Sequence, residues 1–575
     1  MILQSLITLY DRLYKEQHED SENEGAKIPP LGFSMEKLGF CINIDRNGNL
    51  IGNPEDIRGE KSAQSYKYRL SEVPYSNQIN VRSSNSSTTP NFMVDRADYI
   101  FGMSGASRKN VHQNSFRELI DEVCGNSQDE GVLAVKSFLR KWDPSKSTSL
   151  PYWQEICGKD GKWVGFKLEG DRGLVHERPE VQKLWENFVG RKEYRRGISL
   201  IDGLTHPIQN QYAQFSFGTG ASLVSFNKAA YESYGKSRGE NAPISVEAEF
   251  KSSTALKYLL RSETQCLRIG DATTVFWTER KTPVEPFFGK IINPRSKDEI
   301  EPVQNFLEAA KKGILPNNSD RDGEVKFYIL GLALSQGRLA LRFWYVCSVE
   351  KLMRRLGNHF KHLEIDKSSE RDIEYPGVWH LLKETARETK DISPVLGGAL
   401  MRSILTGAPY PMSLYHGVMG RIGADGRINY LRASILKAVL ERNFNKEIRM
   451  SLDTKNLETA HLLGRLFAVL EKAQQDALGN INTTIRDSFF SAAASTPGSV
   501  FPRLLQLSQH HIKKAEYGLI SDKRIGEIME NIKGFPPLMD LKDQGLFAIA
   551  YYQQRNENYR KKETATEGEN NEQAD

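Results

Sequence analysis

The chain has 575 residues; 78 basic against 73 acidic side chains give a formal net charge of +5, and 39% of it is hydrophobic. That length allows three or four domains with several cores, and the near balance of charge excludes a polybasic protein, so any nucleic-acid contact must rest on local positive patches. No apolar run reaches the ~18 residues of a membrane span. The first seventeen residues mix acids and bases and lack the pattern of a secretory signal. Cys41, Cys124, Cys157, Cys266 and Cys347 are single and widely spaced. That predicts neither a zinc knuckle nor a disulfide framework, and a reducing, cytoplasmic location.

In chain order, Ile2, Leu3, Leu6, Ile7, Leu9, Tyr10 and Leu13 recur at helical spacing and predict an amphipathic helix over residues 1–17. Asn47-Gly48, between Phe40–Ile44 and Leu50-Ile51, predicts a two-residue hairpin. Residues 55–92 are rich in Ser, Asn, Tyr and Lys without a period, and read as a long polar loop. Helices follow at 111–124 and 128–141. Residues 162–290 carry strand signals (WVGFKLEG, GISLIDG, ASLVSF, DATTVFW) between helical stretches at 179–188 and 248–260. This mixture predicts an α/β or α+β domain.

Beyond about residue 300 the pattern turns helical. Residues 302–312 read as a helix, VKFYILGLAL as an apolar strand, and 348–363 as a basic amphipathic helix. After Pro409-Tyr-Pro411, helices are expected at 412–421, 428–443, 456–478, 481–494, 500–517, 521–532 and 541–559, with Pro497-Gly498 and Pro536-Pro537 as breaks. The fold class is therefore α+β: a mixed α/β region (1–295), a mainly helical middle with basic faces (296–448), a C-terminal helical bundle (449–559) and a polar tail (560–575) expected to be disordered. No internal repeat is visible.

Catalytic constellations are missing from the sequence. Gly235-Lys236-Ser237 lacks the first glycine of a phosphate-binding loop, Ala230 standing in its place. Gly218-Thr219-Gly220 is only a fragment of a dinucleotide motif. His359 and His362 have metal-compatible spacing but no acidic or cysteine partner nearby, and Asp271 and Glu279 merely flank an apolar strand. A self-contained enzyme, a metal site and a cofactor are thus not expected; a stand-alone nuclease or other nucleic-acid enzyme is the alternative reading, and a purely structural scaffold a third.

Three features fit a polyanionic partner. The polar loop offers Lys61, Lys67, Arg69, Arg82, Ser83, Ser84, Asn85 and Asn91, cations for phosphates and amides or hydroxyls for base edges. Residues 214–241 combine small residues with Ser222, Ser225, Asn227, Lys236 and Arg238. Residues 401–450 hold eight basic against three acidic residues, and 331–364 hold six against two. The plain alternative for each is a solvated surface.

Several stretches together resemble the large subunit of the type I-C CRISPR surveillance complex, Cascade: PNFMVDRADYIFG (90–102), GASLVSFNKAAYESYGK (220–236) with NAPIS (241–245), IGDATTVFW (269–277), INYLRASILKAVLERN (428–443) and LLGRLFAVLEKAQ (462–474). The resemblance implies a non-catalytic subunit beside the guide RNA. It would read the protospacer-adjacent motif in double-stranded target DNA, help open the duplex, stabilise the R-loop and recruit a helicase–nuclease in antiviral defence. Implied partners are the backbone and handle-binding subunits and a small subunit made from the same gene, with Met450 as its internal start; no membrane is involved. On this reading Lys61, Arg82, Ser83, Asn85, Asn91, Ser222, Asn227 and Lys236 read the motif. Arg402, Arg421, Arg427, Arg432 and Lys437 hold nucleic-acid backbone.

Overall fold

The computed structural model describes the chain except residues 20–26, 62–65, 67, 69, 76–88, 103–110, 159–161, 218, 227, 283, 293–304, 306, 307, 309–323, 336, 337, 480, 481 and 561–575. The described chain divides into two units, Met1–Ser262 with Leu334–Ala340, and Glu263–Ala333 with Leu341–Asp575. Its α+β class is as expected.

The first unit begins with helix α1 (Ile2–Glu19). Strand β1 (Phe33–Ile44) is the centre of a sheet, antiparallel to β2 (Glu55–Asp56) and β3 (Leu70–Pro74). Helices α2 (Ala97–Phe101), α3 (Val111–Cys124), α4 (Glu130–Lys141) and α5 (Trp153–Cys157) follow. Asp129 caps α4, its carboxylate accepting from the Val132 N–H at 3.0 Å. The chain then returns as β4 (Trp163–Leu168), parallel to β1. The hairpin expected at Asn47-Gly48 forms on the other edge of β1, where Ile44 pairs with Leu50 while also facing Leu168 of β4. The Ile51 N–H donates to the Asn43 carbonyl at 2.8 Å, and β2 continues the antiparallel pairing with Cys41 opposite Glu55. Val164, Phe166 and Leu168 of β4 bring buried apolar side chains to the core beside β1, and Leu50 of the hairpin packs against the same core. Helix α6 (Pro179–Gly190) closes this core through Trp185, which stacks on Phe92 at 5.4 Å and donates to the Gly32 carbonyl at 2.7 Å.

Two short hairpins, β5 (Arg196–Ile198) with β6 (Thr205–Pro207) and β7 (Gln214–Phe217) with β8 (Thr219–Ser222), lead to α7 (Val246–Arg261). The expected strands GISLIDG and ASLVSF are therefore much shorter than read: 199–204 is a turn, and 223–226 is not strand. α1 packs against α7, with Tyr10 edge-on to Phe250 at 5.5 Å.

In the second unit β9 (Cys266–Ile269), β10 (Ala272–Thr278), β11 (Lys326–Ser335) and β12 (Arg338–Ser348) form a sheet in that order, with α8 (Val284–Ile292) between β10 and β11. The end of the β11–β12 hairpin counts with the first unit, where Arg338 pairs in parallel with Ser222. Of the helix expected at 302–312, Asn305 and Glu308 are described and helical, and the rest lies outside the described residues. Then come α9 (Val349–Leu363), α10 (Val378–Lys383), α11 (Pro394–Thr406), α12 (Met412–Asp425), α13 (Tyr430–Phe444), α14 (Thr459–Leu478), α15 (Ile485–Ser495), α16 (Pro497–Lys514), α17 (Gly518–Met529) and α18 (Leu541–Tyr559). The unit boundary falls at Ser262 rather than near 295, because Leu267, Phe276 and Phe288 bury themselves in the same core as the helices. No break occurs near 448: Leu436 and Leu440 share that core with Leu462, Phe467 and Tyr552. Phe467 is its hub, edge-on to Phe490, Phe547 and Tyr551 within 6 Å. Gly464 lets α14 and α18 meet backbone to side, since a Cβ there would lie 2.2 Å from the Phe547 carbonyl oxygen.

Candidate nucleic-acid interface

A cleft of about 790 Å³ opens in the first unit between residues 192–198, 208–211 and 236–243. Backbone pairing holds its walls: the Ile208 N–H donates to the Arg195 carbonyl at 2.9 Å, the Gln209 N–H to Ile244 at 3.0 Å, and the Gly239 N–H to Asn210 at 3.0 Å. Gly239 is required at that crossing, because a Cβ would fall 2.2 Å from the Gln209 carbonyl oxygen. The Tyr212 hydroxyl pins the same loop, donating to the Gly239 carbonyl at 3.2 Å.

Five cationic side chains line the cleft (Lys192, Arg195, Arg196, Lys236, Arg238) against two acidic ones, Glu193 and Glu240. Arg195, 77% exposed, is neutralised by Glu240, whose other oxygen accepts from the Ser237 N–H at 3.0 Å. Arg196, Lys236 and Arg238 are exposed. Lys192 is half-buried, and burial lowers its ammonium to about 8. Gln209, Asn210, Gln211 and Ser237 add amide and hydroxyl groups to the lining. Exposed cations with amides between them form the set that contacts phosphates and base edges.

Of the expected motif-reading residues, Lys236 joins this cleft, and its carbonyl accepts from the Asn241 amide at 3.0 Å. Ser222 lies half-buried in the β7–β8 ladder. Lys61 is exposed with its ammonium 5.0 Å from the Tyr66 ring centroid. Asn91 is 1% exposed, and its N–H donates to the buried Asp95 carboxylate at 2.7 Å, so it braces the loop before α2 instead of facing a ligand. Arg82, Ser83, Asn85 and Asn227 lie outside the described residues. The cleft's other wall, 192–211, was not singled out from sequence; its signal is Arg191, Lys192, Arg195 and Arg196 within six positions.

The expected backbone-holding residues separate into two groups. Arg402 and Arg427 are exposed. Arg421 and Arg432 share the Asp425 carboxylate at 2.6 and 2.9 Å, and Arg432, 7% exposed, also pairs with Glu384 at 2.8 Å. Lys437, 3% exposed, pairs with Glu441 at 2.8 Å and donates to the His362 carbonyl. Arg432 and Lys437 thus tie helices together, their charge answered locally. His359 and His362 do not converge on a metal: His359 bonds the Tyr410 hydroxyl at 2.6 Å, and His362 accepts from Arg442 at 3.1 Å. Among the described residues no cluster of three metal-ligating side chains occurs, and no helix is long and apolar enough to cross a membrane. All five cysteines are unpaired by disulfides.

The sequence model of a family described as CRISPR-associated protein (Cas_Csd1) matches residues 6–559. The chain belongs to the Cas_Csd1 family. The match spans both units, which ties the protein as a whole to CRISPR antiviral defence and to the effector complexes of that system. No curated protein matches it.

Proposed function

We propose that this Cas_Csd1 protein is the non-catalytic large subunit of a type I-C surveillance complex, and that the cleft of the first unit meets the DNA flanking the target. In this reading the chain works with guide RNA, the backbone and handle-binding subunits, and a helicase–nuclease that arrives after target binding. The cleft carries the reading: five cations line it together with the side chains of Gln209, Asn210 and Gln211, and one of them, Lys236, ends the stretch 220–236 that resembles that family. Arg196, Lys236 and Arg238 take phosphates. Asn210 and Gln211 reach base edges, where contacts from the minor groove distinguish mainly A·T from G·C and so tolerate several flanks. Duplex opening follows if contacts to the separated strands outweigh the lost base stacking at the flank. Exposed Arg402 and Arg427 of the second unit add sequence-independent contacts.

Met450 is proposed as the start of the small subunit. It stands in the exposed segment before α14, ahead of the last five helices. The deciding experiment is target binding by the reconstituted complex, with and without this subunit, on duplexes differing only in the flank. Flank-dependent affinity that appears only with the subunit supports the proposal. Flank-independent affinity refutes it.

A further inference from the structure

Tyr234 is 98% exposed, the most exposed large hydrophobic side chain among the described residues. Its φ is +54°, a left-handed conformation that a bulky side chain rarely adopts, and Gly235 and Arg238 follow at +69° and +43°. The loop is nonetheless held. The Ser233 N–H donates to the Asn241 side-chain oxygen at 3.1 Å, while the Asn241 amide donates to the Lys236 and Arg238 carbonyls at 3.0 and 3.1 Å. The Lys236 N–H closes the turn on the Ser233 carbonyl at 3.0 Å. A strained turn locked by its own hydrogen bonds keeps an aromatic ring in water, where it gains nothing from burial.

The chain on either side of the ring is rich in cations. Lys236 and Arg238, two and four residues on, line the cleft, and exposed Lys228 stands six residues before; of the two acids in the stretch, Glu240 is paired with Arg195 and Glu232 accepts from the Arg238 N–H. Three residues back, Tyr231 carries the Arg338 guanidinium 4.1 Å from its ring centroid. A bare ring flanked by phosphate-binding charge fits a nucleobase, because every base has a π-face and the charges hold its backbone. Bases inside a duplex are stacked already, so the ring selects an unpaired one.

We infer that Tyr234 is a stacking platform for an unpaired nucleobase of a single strand whose phosphates lie on Lys236 and Arg238. This rests on the nucleic-acid reading of the cleft and specifies its ligand. The test uses the full chain and two probes: a short single strand carrying a fluorescent purine analogue, and the same strand in a duplex. Tyr234→Ala should weaken single-strand binding roughly tenfold and abolish the analogue's stacking-induced quenching, with duplex affinity unchanged. Tyr234→Trp should restore both. Tyr234→Gly, which relaxes the backbone, should bind like the alanine variant and so excludes misfolding as the cause. Lys236→Ala with Arg238→Ala should weaken both probes. If only the charge variants weaken binding, the cleft reading stands and the stacking inference falls. Equal losses on both probes from Tyr234→Ala also overturn it. If neither set of variants changes binding, both readings fail.

Discussion

Removing charge from the cleft should change how binding responds to salt, and by a calculable amount. Arg196, Lys236 and Arg238 are exposed cations lining it from both walls. Each phosphate contact contributes about 0.9 to the slope of log affinity against log salt, so the triple alanine variant should flatten that slope by about 2.7. Between about 50 and 200 mM salt the parent should then lose about 40-fold more affinity than the variant. The opposite change is available at Glu240. Glu240→Gln can still accept from the Ser237 N–H but no longer neutralises Arg195, so the slope should steepen by up to about 0.9. Fluorescence anisotropy of a labelled duplex titrated with the full chain over a salt series reads both. A triple variant with the parent slope, or a Glu240→Gln variant with a flatter one, would refute the assignment of phosphates to this cleft. Lys192 adds a pH signature. Its ammonium titrates near 8, so affinity should fall between pH 7 and 9, and Lys192→Ala should remove that part of the fall.

Gly464→Ala should destabilise the second unit by roughly 1–3 kcal/mol, because the added methyl meets the Phe547 carbonyl oxygen; a denaturant midpoint at or above the parent's would contradict this. Burial raises the Glu249 carboxyl to about 6, so its contribution is present below its ordinary 4.5 and lost as pH rises through 6. Glu249→Gln, which keeps an acceptor for the Ala213 N–H, should therefore stabilise the first unit at pH 7 by up to about 2 kcal/mol in calorimetry. His461 in the second unit has the opposite sign. Burial first, then Arg465, holds its imidazole down to about 4, so the unfolded chain takes up the proton first and stability falls by up to about 3 kcal/mol as pH drops from 6.5 to 4. His461→Leu should flatten that slope. Mass spectrometry of the expressed gene should find a product beginning at Met450, and replacing Met450 with Leu should remove it.

The helical region was readable because its periodicity is strong and its breaks are prolines. The span 541–559 matches α18, and the basic stretch 348–363 is α9 with Ser348 as its cap. The β-rich part was less so, since strands of three or four residues carry too few alternations to set their bounds. Lys236 was legible as part of a glycine- and amide-rich surface. The opposite wall was not, because it meets the Lys236 loop through tertiary bonds between segments some 30 to 45 positions apart, Gly239 to Asn210 and Arg195 to Glu240. Arg432 and Lys437 show the converse limit. A basic helix looks alike in sequence whether it faces water or an acid, and the Glu384 that answers Arg432 lies 48 positions away.

The left-handed turn at Tyr234 separates two selections that usually run together. A library varied at this one codon and screened for resistance to unfolding should fill with Gly and Asn, which adopt that backbone at little cost. The same library screened for capture of a single strand should keep Tyr, Phe and Trp. How strongly natural lineages hold an aromatic here, against that pull toward glycine, would gauge how often the protein meets a strand already parted from its complement.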